Sequence, residues 1–280
     1  MTAVPTGVGR TALGVAMVRA MESRRRDRLF HDPHAAAFLA AAPAVFGAER
    51  AARRGAVAGL SGLSSAGAAF WSHVVIRTRF FDDYLLDATT QGVTQVVLLA
   101  AGLDTRAHRL AWPSSVRLFE LDLPEVLTFK RRVLSTRSAE PRCDLRPVPV
   151  DLRQDWAAPL IAEGMRPDQP TAWLLEGLLI YLSAEEVVRL LTTVGELSAT
   201  GSRAAFEFEQ TDAETFRERA RLQGLADYAA LWKGGLPDAP GWLAAHGWRL
   251  QTHWRADVAA GYGRTMTETA PGGFVTATRE

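Results

Sequence analysis

Short apolar runs alternating with amphipathic stretches restrict this chain more than any other feature. "TQVVLLAAG" (94–102), "VRLFELDLP" (116–124), "LRPVPVDL" (145–152), "TAWLLEGLLIYL" (171–182) and "SRAAFEFEQ" (202–210) are strand-like, the third weakened by its prolines. Between them lie "PEVLTFKRRVLSTR" (124–137) and "SAEEVVRLLTTVGELSAT" (183–200), which read as helices; Ser183 followed by Glu185 and Glu186 marks an N-terminus. Strands alternating with helices predict a mainly parallel sheet covered on both faces. "WRLQTHW" (248–254) and "GGFVTATRE" (272–280) add two closing strands, seven in all, the last two as a hairpin-like addition.

The remaining segments frame that core. Residues 70–88, "FWSHVVIRTRFFDDYLLDA", carry apolar residues at helical spacing and predict a helix packed on the first strand. Residues 35–69 are rich in Ala and Gly and predict short helices with a mobile connection. Residues 210–247 read as helical, with turns at Gly234–Gly235 and Pro240–Gly241. The expected organisation is one domain over 1–280: an N-terminal helical cap and lead-in helix (1–88), a βα core (89–209), a helical lid (210–247) and closing strands (248–280).

Composition sets the outer limits. A net charge of +1 gives no reason to expect nucleic acid or an anionic membrane as partner. The N-terminus lacks the order of a secretory signal, no run is long enough to span a bilayer, and a single cysteine allows no intrachain disulfide. A cytoplasmic location is expected.

The polar residues that interrupt the apolar runs fall at strand ends, where open α/β sheets bind ligands. Gly102 and Asp104 follow the first strand, Glu120 and Asp122 end the second, Asp151 and Leu152 the third, and Glu176 and Gly177 lie near the end of the fourth. A small residue after the first strand lets a ligand approach the backbone. An acid after the second can accept from ribose hydroxyls. An acid after the third can accept from an adenine amino group, with Leu152 on the ring face. "AAGLDTR" lacks two glycines of a dinucleotide fingerprint, and Asp104 would sit close to phosphates. A cationic, phosphate-free nucleoside tolerates those acids, and S-adenosylmethionine is such a ligand.

Several bland readings compete. Asp104 can be a plain helix cap, Arg77 a solvated helix residue by pattern alone, and "ESRRRDRLF" (22–30) a solvated helix face. "HDPH" (31–34) lacks a further ligand cluster, so no metal is expected. Cys143 has no histidine partner pattern. Trp232, Trp242, Trp248 and Trp254 fit core positions, although two or three can line an acceptor pocket. The six histidines are scattered, and no catalytic residue is assigned.

Taken in order, "RTALGVAMVRAMESRRRDRLFHDPHAAAFL", "IRTRFFDDYLLDA", "VVLLAAGLDTRAHRL", "FELDLPEVLTFKRRVL", "VPVDLRQDW", "PTAWLLEGLLIYLSAEEVVRLL" and "GYGR" closely resemble the motifs of the leucine carboxyl methyltransferase-like family, in its bacterial branch. The resemblance spans about residues 9–264. It implies a Rossmann-like class I methyltransferase fold and S-adenosylmethionine as cofactor. By the same resemblance, Arg77 grips the cofactor carboxylate, Ala100 to Gly102 form the cofactor turn, Asp122 binds ribose, Asp151 and Leu152 flank adenine, and Glu176 lies near the methionine end. Ala100 stands where the family usually has glycine. The implied reaction is O-methylation of a carboxylate or acidic hydroxyl on a small-molecule acceptor, in specialised metabolism. Alternatives are a peptide or protein C-terminal carboxylate and a non-catalytic protein that keeps the fold.

Overall fold

The computed structural model describes residues 8–43, 65–209, 214–215, 218, 229–266 and 272–280. A seven-stranded sheet forms the centre: β1 (Gln95–Leu99), β2 (Arg117–Asp122), β3 (Asp144–Pro149), β4 (Thr171–Leu175), β5 (Arg203–Glu209), β6 (Trp248–Trp254) and β7 (Gly272–Arg279). Their spatial order is β3-β2-β1-β4-β5-β7-β6. The pairs β3–β2, β2–β1, β1–β4 and β4–β5 are parallel, whereas β7 runs antiparallel to both β5 and β6. The closing strands do pair with each other, but a helix separates them in sequence, and β7 inserts between β5 and β6 instead of adding at the edge.

The apolar runs are continuous because the central strands are covered twice. Val97, Leu99, Phe119, Leu121, Trp173, Leu175 and Phe206 face one side, against Val187, Leu190, Leu191 and Val194. The latter belong to a helix, Ala184–Glu196, that starts with a capping box: Ser183 Oγ accepts from Glu186 N, and the Glu186 carboxylate accepts from Ser183 N. Val96, Leu98, Leu118, Ala172, Leu174 and Ala205 face the other side, against Ile76, Phe81, Tyr84 and Leu85 of the helix Ser65–Thr90.

In chain order the helices are α1 (Val8–Glu22), α2 (Ala35–Ala41), α3 (Ser65–Thr90), α4 (Arg106–Arg109), α5 (Pro124–Ser135), α6 (Ala157–Ala162), α7 (Ala184–Glu196), α8 (Ala239–Ala245) and α9 (Arg255–Gly261). Prolines 147 and 149 are tolerated in β3 because it is an edge strand with one neighbour. The fourth apolar run is not one strand. β4 stops at Leu175, Gly177 turns the chain at φ +63°, and Leu179–Tyr181 form a 3₁₀ turn. Pro240 and Gly241 also differ from expectation: they lie in the first turn of α8, where proline is at home, and Asp238 caps it by accepting from Gly241 N. The mobile connection expected within 35–69 falls mostly on residues 44–64, outside the described residues, as do residues 219–228 of the expected lid.

The N-terminal helices sit on the turn after β1. Leu13 and Ala16 of α1 and Phe38 of α2 pack with Leu103 and with Phe129 and Val133 of α5. Arg19 donates from Nη2 to the Leu103 carbonyl at 2.6 Å and from Nε to Asp32 at 2.9 Å, and Thr105 Oγ1 donates to the same Asp32 at 2.8 Å. The "HDPH" aspartate therefore clamps the cap to the turn. Nor is "ESRRRDRLF" a solvated helix face: α1 ends at Glu22, whose buried carboxylate accepts from Leu29 N and from Arg264 of "GYGR".

Candidate active site

The order of strands reverses between β1 and β4, so the crevice of an open sheet lies there, beyond the carboxyl ends. Two groups of side chains meet at this edge, on either side of the turn after β1.

The first is held by the backbone. Ala100 and Gly102 adopt φ +56° and +51°. That left-handed pair reverses the chain tightly enough for Gly102 N to donate to Asp122 Oδ2 at 2.6 Å, while Leu123 N donates to Oδ1 at 2.7 Å. Burial pushes the Asp122 carboxyl up, against the pull of these two N–H groups. Each oxygen retains a lone pair for a ribose hydroxyl. A Cβ on Gly102 would lie 3.4 Å from Ala12 Cβ, so α1 roofs the turn. Next to Asp122, β3 continues its pairing, with Val150 N donating to the Asp122 carbonyl. Asp151 is drawn to Arg153, which holds its carboxyl below the usual range, and Leu152 packs partly against the core.

The second group is held by ion pairs. Leu175 of β4 pairs with Phe206 of β5, so the next positions along, Glu176 and Glu207, stand side by side. Two adjacent carboxylates need a cation, and α3 supplies it. Arg77 donates from Nε to Glu176 Oε1 at 2.9 Å and from Nη1 to Glu207 Oε1 at 2.9 Å. Gly177 leaves room for that guanidinium, since a Cβ there would lie 3.4 Å from Nη1. Arg77 is 8% exposed, so it is not the solvated helix residue its pattern allows.

Arg106 completes this group and is buried. Its Nη1 donates to Glu176 Oε2 at 2.7 Å and to Asp104 Oδ2, and its Nε donates to Asp82 Oδ1 at 2.6 Å. Asp82 is also gripped by both terminal nitrogens of Arg109. Burial alone would raise the Asp104 carboxyl, but Arg106 and then Lys130 bring it to about 2. Asp104 accepts from Arg106 N as well, so it closes the turn and does not face open space. Burial likewise acts against the Glu176 carboxylate, but Arg106 and Arg77 outweigh it and hold the group ionised. For Glu207 the balance reverses: burial, with repulsion from Glu176, outruns Arg77 and raises the carboxyl.

Sequence reasoning missed Arg106, Asp82 and Glu207. Arg106 lay inside "GLDTR", and its signal was its position two residues after Asp104. Glu207 carried the signal used for Glu176, an acid at the end of an apolar strand, but the fifth strand was not read that way. Arg19, Thr78, Asp104, Thr105, Arg106, Arg109 and Glu176 pack around one polar recess that leaves no room for a water molecule. Among the described residues no three His, Cys, Asp or Glu side chains are grouped to hold a metal ion, and no helix is long and apolar enough to cross a membrane. Burial, then Glu120 and Asp144, pushes the Cys143 thiol up to about 12, so it stays protonated.

The edge suits an adenosine carrying an amino-acid tail: a backbone-lined turn beside Asp122 on one side, a carboxylate and a guanidinium on the other. Residues 12–195 match the family model for leucine carboxyl methyltransferase. A protein of Frankia alni that carries the name of an S-adenosyl-L-methionine-dependent methyltransferase is 52% identical over 278 residues, covering 99% of this chain and 96% of that one. One of Streptomyces coelicolor with the same name is 44% identical, covering 98% and 96%. In fold, the chain is similar to the crystal structure of a protein named as a methyltransferase from Thermobifida fusca, with a TM-score of 0.55 and 17% identity, over 76% of this chain and 83% of that one. The chain thus belongs to the leucine carboxyl methyltransferase family, and it is an S-adenosylmethionine-dependent methyltransferase.

Proposed function

We propose that the enzyme O-methylates a carboxylate or acidic hydroxyl of a small-molecule acceptor, in the cytoplasm and in specialised metabolism, with its cofactor laid across the carboxyl ends of four neighbouring strands. The observation that carries the cofactor placement is spatial order. Asp151 and Leu152 follow β3, Asp122 ends β2, Ala100 to Gly102 follow β1 and Glu176 follows β4, and these strands are consecutive in the sheet. Three strand spacings make about 14 Å, and across them the groups run adenine, ribose, turn, methionine end.

When bound, the cofactor supplies an electrophilic methyl group on a sulfonium. Asp122 accepts from the ribose hydroxyls, Asp151 and Leu152 flank the adenine, Glu176 faces the cationic end, and Arg77 holds the carboxylate. Ala100 and Gly102 keep the backbone close without adding a bulky side chain. The N-terminal helices exclude water from the turn. What remains for the protein is alignment of the acceptor. A carboxylate acceptor arrives ionised, since unperturbed carboxyls titrate near ~4, and it needs no base. A hydroxyl must lose a proton. His73 is poorly suited to take it, since burial and then Arg255 and Arg77 hold its pKa well below the ordinary range. The family name favours the carboxylate, and it keeps a peptide or protein C-terminal carboxylate as the second reading.

Thermal unfolding with S-adenosylhomocysteine tests the site. A ligand at a hundred times its dissociation constant should stabilise by about 2.7 kcal/mol. Asp122→Ala and Glu176→Ala should each lose that shift, and normal shifts in both would overturn the placement. Transfer of a radiolabelled methyl group to small carboxylates, phenols and a peptide with a free C-terminus identifies the acceptor class. Methyl esters release label as methanol in mild alkali and methyl ethers do not.

A further inference from the structure

We propose that Glu207 is a resident counter-anion of Arg77, held where the methionine carboxylate of the cofactor docks and displaced when it binds. The inference rests on the reading of Arg77 as the carboxylate-binding residue. A guanidinium takes a carboxylate through two parallel N–H bonds along one of its edges. Nε of Arg77 is occupied by Glu176 and Nη1 by Glu207; among the described residues Nη2 has no hydrogen-bond partner. Either bidentate edge therefore includes an occupied nitrogen, and one resident carboxylate must leave.

The two residents are not equally held. Glu176 is anchored through its second oxygen by Arg106 at 2.7 Å. Glu207 is bonded by Arg77 at Oε1 and drawn on by the Gly177 N–H, but no second arginine bonds it, and its Oε2 is buried with no hydrogen-bond partner. A buried acceptor left unmade is costly. The same asymmetry shows in ionisation: two arginines hold Glu176 charged, whereas Glu207, opposed by burial and by Glu176, is raised. Glu207 is the group that gives way, and Glu176 is the one that stays.

Glu207 is then a competitor of the ligand, so its removal should improve binding, the opposite of what a contact residue does. Calorimetric titration of the full chain and Glu207→Gln tests this, with S-adenosylhomocysteine as ligand and 5′-methylthioadenosine, which lacks the amino-acid end, as control. At pH 7.5 the variant should bind S-adenosylhomocysteine roughly tenfold more tightly, the size of one charge-assisted hydrogen bond no longer surrendered. It should bind methylthioadenosine as the wild type does.

The wild-type protein gives a second measurement. Around Glu207 and Arg77 stand Glu176 and Gly177 N–H after β4, Arg255 of α9 with Glu209 of β5, and His73 of α3. His73 is held neutral and Glu176 is held ionised, so of these neighbours Glu207 is the one that takes up a proton as the pH falls. Protonated Glu207 no longer competes, and the ligand α-carboxylate remains charged. Wild-type affinity for S-adenosylhomocysteine should therefore rise as acid protonates Glu207, and Glu207→Gln should flatten that slope. Equal or weaker binding by the variant, or a flat or falling wild-type profile, overturns the inference. Failure of the wild type to bind either ligand removes the cofactor site itself, and the inference with it.

Discussion

Asp122 and Glu176 are both carboxylates at strand ends in one crevice, yet they are fixed by different means. Asp122 is held by two N–H groups from Gly102 and Leu123, its own strand exit and the neighbouring turn. Glu176 is held by Arg77 and Arg106, from two different helices, 99 and 70 residues away in sequence. The first arrangement follows from local backbone geometry. The second exists only once α3, α4, β4 and β5 have assembled. The Asp122 side of the crevice should therefore tolerate side-chain loss better than the Glu176 side, and the consequences can be ranked.

Removal of Arg106 should have the largest effect. Arg106→Ala would leave Asp82, Asp104 and Glu176 buried without their shared cation, a loss of about 3–5 kcal/mol. Asp122→Ala strands two N–H groups and should cost about 1–3 kcal/mol. Urea unfolding at pH 7.5 measures both. If the two variants lose equal stability, the contrast between the halves fails.

Acid should act on the same half. The Asp104 carboxyl titrates at about 2 in the folded protein against 3.8 ordinarily, because Arg106 and Lys130 outweigh burial. A depressed carboxyl contributes stability that is fully present above its unfolded value and is lost as pH falls through the folded one. The window is therefore pH 4 down to about 2, and the amount about 2 kcal/mol. Unfolding of the wild type and Asp104→Asn across pH 5 to 2 should show the variant flatter by that amount. Parallel curves would mean that Asp104 contributes nothing specific.

The same division explains what could be read from the sequence. The central strands were signalled by short apolar runs, because strands buried on both faces leave that trace. The acids after the first four strands were legible because a charge ending an apolar run is conspicuous. What binds them was not legible. Nothing in "IRTRFF" distinguishes Arg77, which turns inward, from Arg79, which bonds Asp83 on the same helix. Arg106 lies in a four-residue helix with His108 and Arg109 close after it, both arginine side chains are buried, and only the assembled fold shows that Arg106 reaches Glu176 while Arg109 stops at Asp82. The extent of β4 was overread because "LLEGLLIYL" stays apolar past the strand end, and the left-handed φ of Gly177 breaks it.

The smallest effect concerns the turn after β1. Ala100, which the motif resemblance sets against a glycine, adopts φ +56°, as Gly102 does at +51°. A side chain in that region costs about 1–2 kcal/mol, while glycine restores about 0.5–1 kcal/mol of unfolded-state freedom. Ala100→Gly should therefore stabilise by a few tenths to about 1 kcal/mol, and Gly102→Ala should destabilise by a similar amount even though its Cβ would make only ordinary contact with Ala12. The methyl of Ala100 packs against the core cluster that includes Leu99, Trp173 and Leu175, so it occupies the protein side of the turn. Its removal should leave S-adenosylhomocysteine affinity within about twofold. A tenfold change in affinity, with stability unmoved, would place that methyl against the ligand and make the alanine a feature of recognition instead of a strained substitution that the core absorbs.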